Sequence, residues 1–221
     1  MKVEASDLDP PEKRSKYTVC VVGCGRIGLP TACLFAEAGF RVIGTDTNQY
    51  AVNLLKRGKA PFIEPELSVF VKKNVKSGRL TITTDNKKAA AESDIIVFVL
   101  PTVIDEKKKP DYSLVEKACK EVGMRLRAGS LIVFASTTGP GITETLVQET
   151  LENASGLRAG VDFGLVHSPT RAAPGRILND IVTYARVIGA INEQSFKVAS
   201  LLLSTFVQGG IVKVRDMKTS E

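Results

Sequence analysis

The sequence predicts an α/β fold: a doubly wound, mostly parallel sheet with helices on both faces. Three observations carry this expectation. From Tyr17 onward, short β-branched runs alternate with longer stretches of helical periodicity, the pattern of βαβ units. Several of the short runs are almost wholly apolar, as strands covered on both faces must be. A glycine loop, Gly23-Cys24-Gly25-Arg26-Ile27-Gly28, follows the first run directly.

The leading segment, residues 1–16, contains Asp9-Pro10-Pro11, which forbids a continuous helix. It is expected to be a flexible arm, and it is too charged for a signal peptide. Strands are expected at 18–22, 41–44, 80–83, 94–100, 131–135, 163–166 and 185–188. An amphipathic stretch should run from the glycine loop through Phe35. A second helix should begin near Ser113, where Ser113 and Glu116 have capping-box spacing and Val115, Ala118, Cys119, Val122 and Leu126 mark one face. A third is expected over 193–206, with Phe196, Ala199, Leu203 and Phe206 aligned. There is no internal repeat.

With 221 residues and 43% hydrophobic content, the chain can bury one good core. No stretch reaches the roughly 18 uninterrupted apolar residues of a membrane span, so the expectation is a cytoplasmic protein without membrane contact. Cys20, Cys24, Cys33 and Cys119 have neither disulfide-framework density nor metal-ligand spacing, and no metal is expected. The net charge of +6 and pI near 9.1 admit an anionic partner. The one tight basic run, Lys107-Lys108-Lys109, lies among Asp105, Glu106 and Asp111 without interleaved aromatics. A solvated loop is expected there, and no nucleic acid.

The loop's three glycines sit where a Rossmann-type dinucleotide site requires them. The first permits the tight turn, the second admits a pyrophosphate to the backbone, and the third lets helix and strand pack closely. Asp46 follows the second strand, eighteen residues after Gly28, where a carboxylate reaches ribose hydroxyls and repels a 2′-phosphate. That favours NAD over NADP. Asp46 could instead be a turn or helix-cap residue. In open parallel sheets ligands lie beyond the carboxyl ends of the strands. Those positions hold Pro101 and Thr102; Ser136, Thr137 and Thr138; and His167, Ser168, Pro169, Thr170 and Arg171. His167, the single histidine, ends an apolar run without an identifiable partner carboxylate, so packing or hydrogen bonding is expected of it rather than base catalysis. Cys24 would be covered by a bound pyrophosphate and is not expected to be a nucleophile.

VVGCGRIGLPTACLFAEAGFRVIGTD (residues 21–46), FIEPEL (62–67), SDIIVFVLPT (93–102), KPDYSLVEKA (109–118), ASTTGPGITE (135–144) and SPTRAAPGRILNDI (168–181) together resemble the UDP-glucose/GDP-mannose dehydrogenase family. The similarity is strongest to its branch acting on UDP-N-acetylhexosamines. The match extends over nearly everything from Thr18 onward. It implies an NAD-binding domain at 17–214, with residues 215–221 opening a long connecting helix. The expected cofactor contacts are then Gly23, Gly25, Arg26, Ile27, Gly28, Asp46, Thr47, Pro101, Thr102, Ser136 and Thr137. Arg171 and Gly175 would lie towards a UDP-sugar, and Thr137 and Arg171 are the catalytic candidates.

Members of that family oxidise a sugar C6 alcohol to a carboxylate in two hydride transfers, through a cysteine-bound intermediate. Their nucleophile lies in a downstream GGSCFPKD-like motif with no counterpart in these residues. The resemblance therefore implies a further domain or partner subunit, and no sustained turnover by the chain alone. Dimerisation is a family trait, built on the connecting helix. Three positions depart from the pattern: Thr170 stands for a glutamate, Val103 for the second proline of a PTP turn, and Ala135 for a glutamate. Threonine cannot accept a proton near neutral pH. A non-catalytic dinucleotide-binding module is the second reading, and a 3-hydroxyacid-type dehydrogenase the third.

Overall fold

A computed structural model describes residues 2–104 and 106–221. The chain opens with two one-turn helices, α1 (Ala5–Leu8) and α2 (Pro11–Arg14). It continues through β1 (Thr18–Val22), α3 (Gly28–Glu37), β2 (Arg41–Thr45), α4 (Gln49–Lys56), α5 (Leu67–Lys76), β3 (Leu80–Thr83), α6 (Asn86–Ala91) and β4 (Ile95–Phe98). A small hairpin, β5 (Val103–Ile104) and β6 (Pro110–Asp111), precedes α7 (Ser113–Gly123) and β7 (Leu131–Phe134). A π-helical turn (Thr143–Val147) runs into α8 (Gln148–Ser155), followed by β8 (Gly164–His167), α9 (Ile177–Thr183), β9 (Arg186–Ala190), α10 (Glu193–Ser204), β10 (Ile211–Lys213) and α11 (Met217–Ser220).

Eight strands form one sheet in the order β10-β9-β8-β7-β4-β1-β2-β3. All neighbours pair in parallel except β8 and β9. The apolar runs dictate this arrangement, because successive residues point to opposite faces. Val19, Val21, Ile95, Val97, Leu131 and Val133 join one buried cluster with α3, α5, α9 and α10. Cys20, Val22, Ile96, Phe98, Ile132 and Phe134 join the other, with α6, α7 and α8. This is the doubly wound architecture expected.

Several expectations are corrected. The leading residues are packed rather than a free arm: Val3 and Leu8 are each 1% exposed and belong to the core. The Arg14 guanidinium holds them down, donating to the carbonyls of Leu8 (2.6 Å), Asp9 (2.7 Å) and Ala38 (3.1 Å). The prolines still break the helix, with Pro10 capping α2 and Pro11 opening it. α3 is not amphipathic, since nine of its ten residues are buried. Ser113 is the first residue of α7 rather than its cap, and its N–H is taken by the Asp111 carboxylate at 2.9 Å. The edge strand β10 and the β5–β6 hairpin were not anticipated. The lysine run lies between β5 and β6; Asp105 falls outside the described residues. Among the described residues no helix is long and apolar enough to cross a membrane.

Candidate functional site: a cleft over the glycine loop

Each glycine of the loop meets a separate steric demand. Gly23 turns the chain at φ +98°, and a Cβ there would lie 2.3 Å from the Val99 carbonyl oxygen. A Cβ on Gly28 would lie 1.8 Å from the Gly23 carbonyl oxygen, so the start of α3 presses directly on the end of β1. Gly25 is different: nothing lies within 4 Å of its missing Cβ. Its backbone faces open space that any side chain would fill, as a cradle for a pyrophosphate requires. No side chain caps α3, and its first turn holds no acidic residue. Pro30 falls in that first turn, the part of a helix that tolerates proline. Free amide donors and a favourable helix dipole therefore meet at Gly25.

Two pockets share Gly25, Val99, Leu100 and Pro101 and together make one elongated cleft. The first, of about 360 Å³, runs past Asp46 and Thr47 to Asn86, Leu114, Lys117 and Glu121. The second, of about 420 Å³, is lined by Arg26, Ile27, Gly28, Thr102, Ser136, Thr137 and Thr170. All eleven residues expected to contact the cofactor thus line the cleft, drawn from the carboxyl ends of β1, β2, β4 and β7.

The side chains at those strand ends are tied to one another. Asp46 accepts from Cys24 N at 3.1 Å and Asn48 N at 2.9 Å, so the carboxylate steadies the glycine loop while facing the cleft. It does not cap α4; Asn48 does, accepting from Tyr50 N and Ala51 N. Ser136 Oγ accepts from Leu100 N at 2.8 Å, and Thr102 Oγ1 donates to the Thr137 carbonyl at 2.6 Å. Thr45 donates to Asn86 Oδ1 at 2.6 Å, and Asn86 Nδ2 donates to Glu121 Oε2 at 2.8 Å.

His167 is fully buried beneath this edge. Its Nε2 lies 3.3 Å from the Ser136 carbonyl oxygen and its Nδ1 2.9 Å from Ser220 Oγ. Burial pushes its pKa below the ordinary histidine value. The packing role expected of it is the one its surroundings support. All four cysteines are free and buried. Burial raises the thiols of Cys20, Cys33 and Cys119 to about 12, and burial plus the Asp46 charge raises Cys24 well above its ordinary value. None offers a thiolate near neutral pH. No metal-ligand cluster exists among the described residues.

Arg171 and Gly175 do not line the cleft. Gly175 N donates to Glu64 Oε2 at 3.0 Å, and Ile177 N to Glu64 Oε1 at 2.8 Å. A carboxylate from the 62–67 segment therefore caps α9 and fixes the loop before it. Arg186, also unanticipated, donates from Nη1 to Thr170 Oγ1 at 2.8 Å. The face of α7 carrying Leu114, Lys117 and Glu121 was legible in principle, because these residues recur at three- and four-residue spacing.

Residues 17–207 match the sequence model of the NAD-binding domain of the UDP-glucose/GDP-mannose dehydrogenase family. The chain belongs to this family. Its UDP-N-acetyl-D-mannosamine dehydrogenase relative from Pyrococcus horikoshii is 36% identical over 193 residues, covering 87% of this chain and 46% of the relative. The NDP-N-acetyl-D-galactosaminuronic acid dehydrogenase of Ralstonia solanacearum is 34% identical over 210 residues, covering 92% and 48%. The solved UDP-D-ManNAc dehydrogenase of Pyrococcus horikoshii superposes with a TM-score of 0.87 at 34% identity, covering 92% of this chain and 48% of that one. The chain spans about half the length of the relatives it matches. NAD is the cofactor of the family's matched domain, and the open backbone at Gly25 with a carboxylate beside it fits that dinucleotide.

Proposed function

We propose that this chain is the cofactor-binding half of an NAD-dependent nucleotide-sugar 6-dehydrogenase that oxidises the C6 alcohol of a UDP-N-acetylhexosamine-type substrate to a carboxylate. The observation that carries the reading is the cleft continuous across Gly25, with Asp46 towards one end and Thr102, Ser136, Thr137 and Thr170 at the other. The names of the relatives support the substrate class.

In this reading the amides of the glycine loop and the start of α3 hold the pyrophosphate. Asp46 accepts from the adenine-side ribose hydroxyls through lone pairs not used by Cys24 N and Asn48 N. The hydroxyls of Thr102, Ser136 and Thr137 orient the nicotinamide end. When bound, NAD supplies the hydride acceptor. The nucleophilic thiol comes from a segment outside these residues, since the four thiols here are buried and neutral. α11 is then the opening of the connecting helix, and the loop from Arg171 to Gly175, fixed by Glu64, faces the sugar-binding part.

Calorimetry tests the reading. Saturable NAD binding is expected, weakened about ten- to a hundredfold in Asp46→Ala, the loss of one or two charge-assisted hydrogen bonds. NAD with a UDP-N-acetylhexosamine should yield no sustained NADH from residues 1–221 alone. An absence of binding at millimolar NAD would sink the reading, and steady turnover would refute the division of labour. A non-catalytic dinucleotide-binding module is the second reading, favoured by Thr170 in the place of the family's glutamate; it predicts the same binding, but no turnover even when the remaining half is supplied.

A further inference from the structure

Arg186 is 4% exposed, yet no carboxylate among the described residues pairs with it. Its Nη1 donates to Thr170 Oγ1, and its Nε has no partner among the described residues. Burial lowers its pKa to about 10, which leaves the guanidinium charged at neutral pH. The reversed strand explains how it comes to lie behind the cleft. β8 pairs antiparallel with β9 through Val166↔Ala190 and His167↔Gly189. Continuing that register by three residues sets Thr170 opposite Arg186. The amino end of β9 therefore lies at the same edge as the carboxyl ends of β4 and β7, where the cleft opens. Thr170 lines the cleft with Ser136 and Thr137. Its oxygen already accepts from Arg186, so its single proton remains for a partner on the cleft side, polarised by the cation behind it.

We propose that Arg186, acting through Thr170, sets the redox-state preference of the dinucleotide site: it favours the reduced cofactor, whose nicotinamide ring is neutral, over the oxidised cofactor, whose ring is positive. The inference rests on the NAD reading above. A glutamate at position 170, as in the resembled pattern, would neutralise Arg186 and leave that end of the cleft without excess charge. Threonine leaves one buried positive charge. An atom in contact with the Thr170 hydroxyl lies about two hydrogen-bond lengths from the guanidinium, roughly 6 Å. At an effective dielectric constant of about 20, discounted for the open cleft, repulsion at that separation corresponds to about tenfold in Kd. Arg186 is thus a specificity-determining residue that acts through a neighbour.

The test is calorimetric titration of the full chain with NAD+, NADH and ADP-ribose, which lacks the ring. The wild type is expected to bind NADH about tenfold more tightly than NAD+. Thr170→Glu should bring that ratio to near one or invert it, while Thr170→Gln, of equal size and no charge, should leave it unchanged. ADP-ribose affinity should be the same in all three. Thr170→Asp is the second carboxylate variant, with circular dichroism verifying the fold of each. Equal wild-type affinities for NAD+ and NADH, or the same ratio change in the Glu and Gln variants, would overturn the proposal alone. Failure of all three ligands to bind the wild type would overturn it together with the NAD reading.

Discussion

Glu66 sits at φ 62°, ψ −20°, a left-handed conformation that costs a residue with a Cβ roughly 1 kcal/mol. It is the residue before α5, and no side-chain hydrogen bond from it caps that helix. Glycine, which carries no Cβ, takes this conformation freely. Glu66→Gly is expected to stabilise the fold by about 0.5 kcal/mol, the relief of strain being partly offset by the greater freedom of glycine in the unfolded chain. For a domain of this size that is an increase in Tm of about 1–2 °C; a lower Tm would mean that the Glu66 side chain makes a contribution exceeding the strain. Asp46 shows the opposite economy. One carboxylate both steadies the glycine loop and lines the cleft, so the structural role of that residue does not exclude the binding role proposed for it.

At the scale of elements, the β1-to-α3 turn separates folding from binding within six residues. Gly28→Ala would drive a Cβ into the Gly23 carbonyl and is expected to destabilise the domain by several kcal/mol, in the range of severe backbone clashes. Gly25→Ala meets nothing within 4 Å and should leave the melting temperature within a degree or two while abolishing measurable NAD binding. Thermal denaturation paired with calorimetry distinguishes them, and equal destabilisation by both would contradict the geometry. The seven strands read from sequence are all present, because a run such as Ile95–Phe98, buried on both faces, has no other stable home. β10 was not legible: Val212 and Lys213 are exposed and the strand is only three residues long, so it carries neither apolar continuity nor alternation. The cleft was legible wherever its lining residues follow strand ends. Arg186 escaped because it lies at the start of a strand, and reversal of direction is invisible in a single run of residues. Glu64 escaped because its partners are more than a hundred residues away.

The whole molecule is closed by its own first residues. Val3 and Leu8 complete the cluster that holds α3 and α10, although Asp9-Pro10-Pro11 led to the expectation of a flexible arm. Leu8→Ala is expected to cost about 2–4 kcal/mol, the usual range for deleting a buried leucine side chain, and to lower Tm by about 5–10 °C. A loss under 0.5 kcal/mol in urea denaturation would mean that the segment is detached in solution. The Glu64 clasp extends across the molecule in a similar way, and its consequence is kinetic. The amides of Gly175 and Ile177 belong to a surface loop and a helix start, places where deuterium normally enters within seconds, yet each is committed to a carboxylate on a distant stretch of chain. Both amides must leave the same carboxylate before they exchange, so Gly175 and Ile177 are expected to exchange together, and more slowly than a surface loop and a helix start otherwise would.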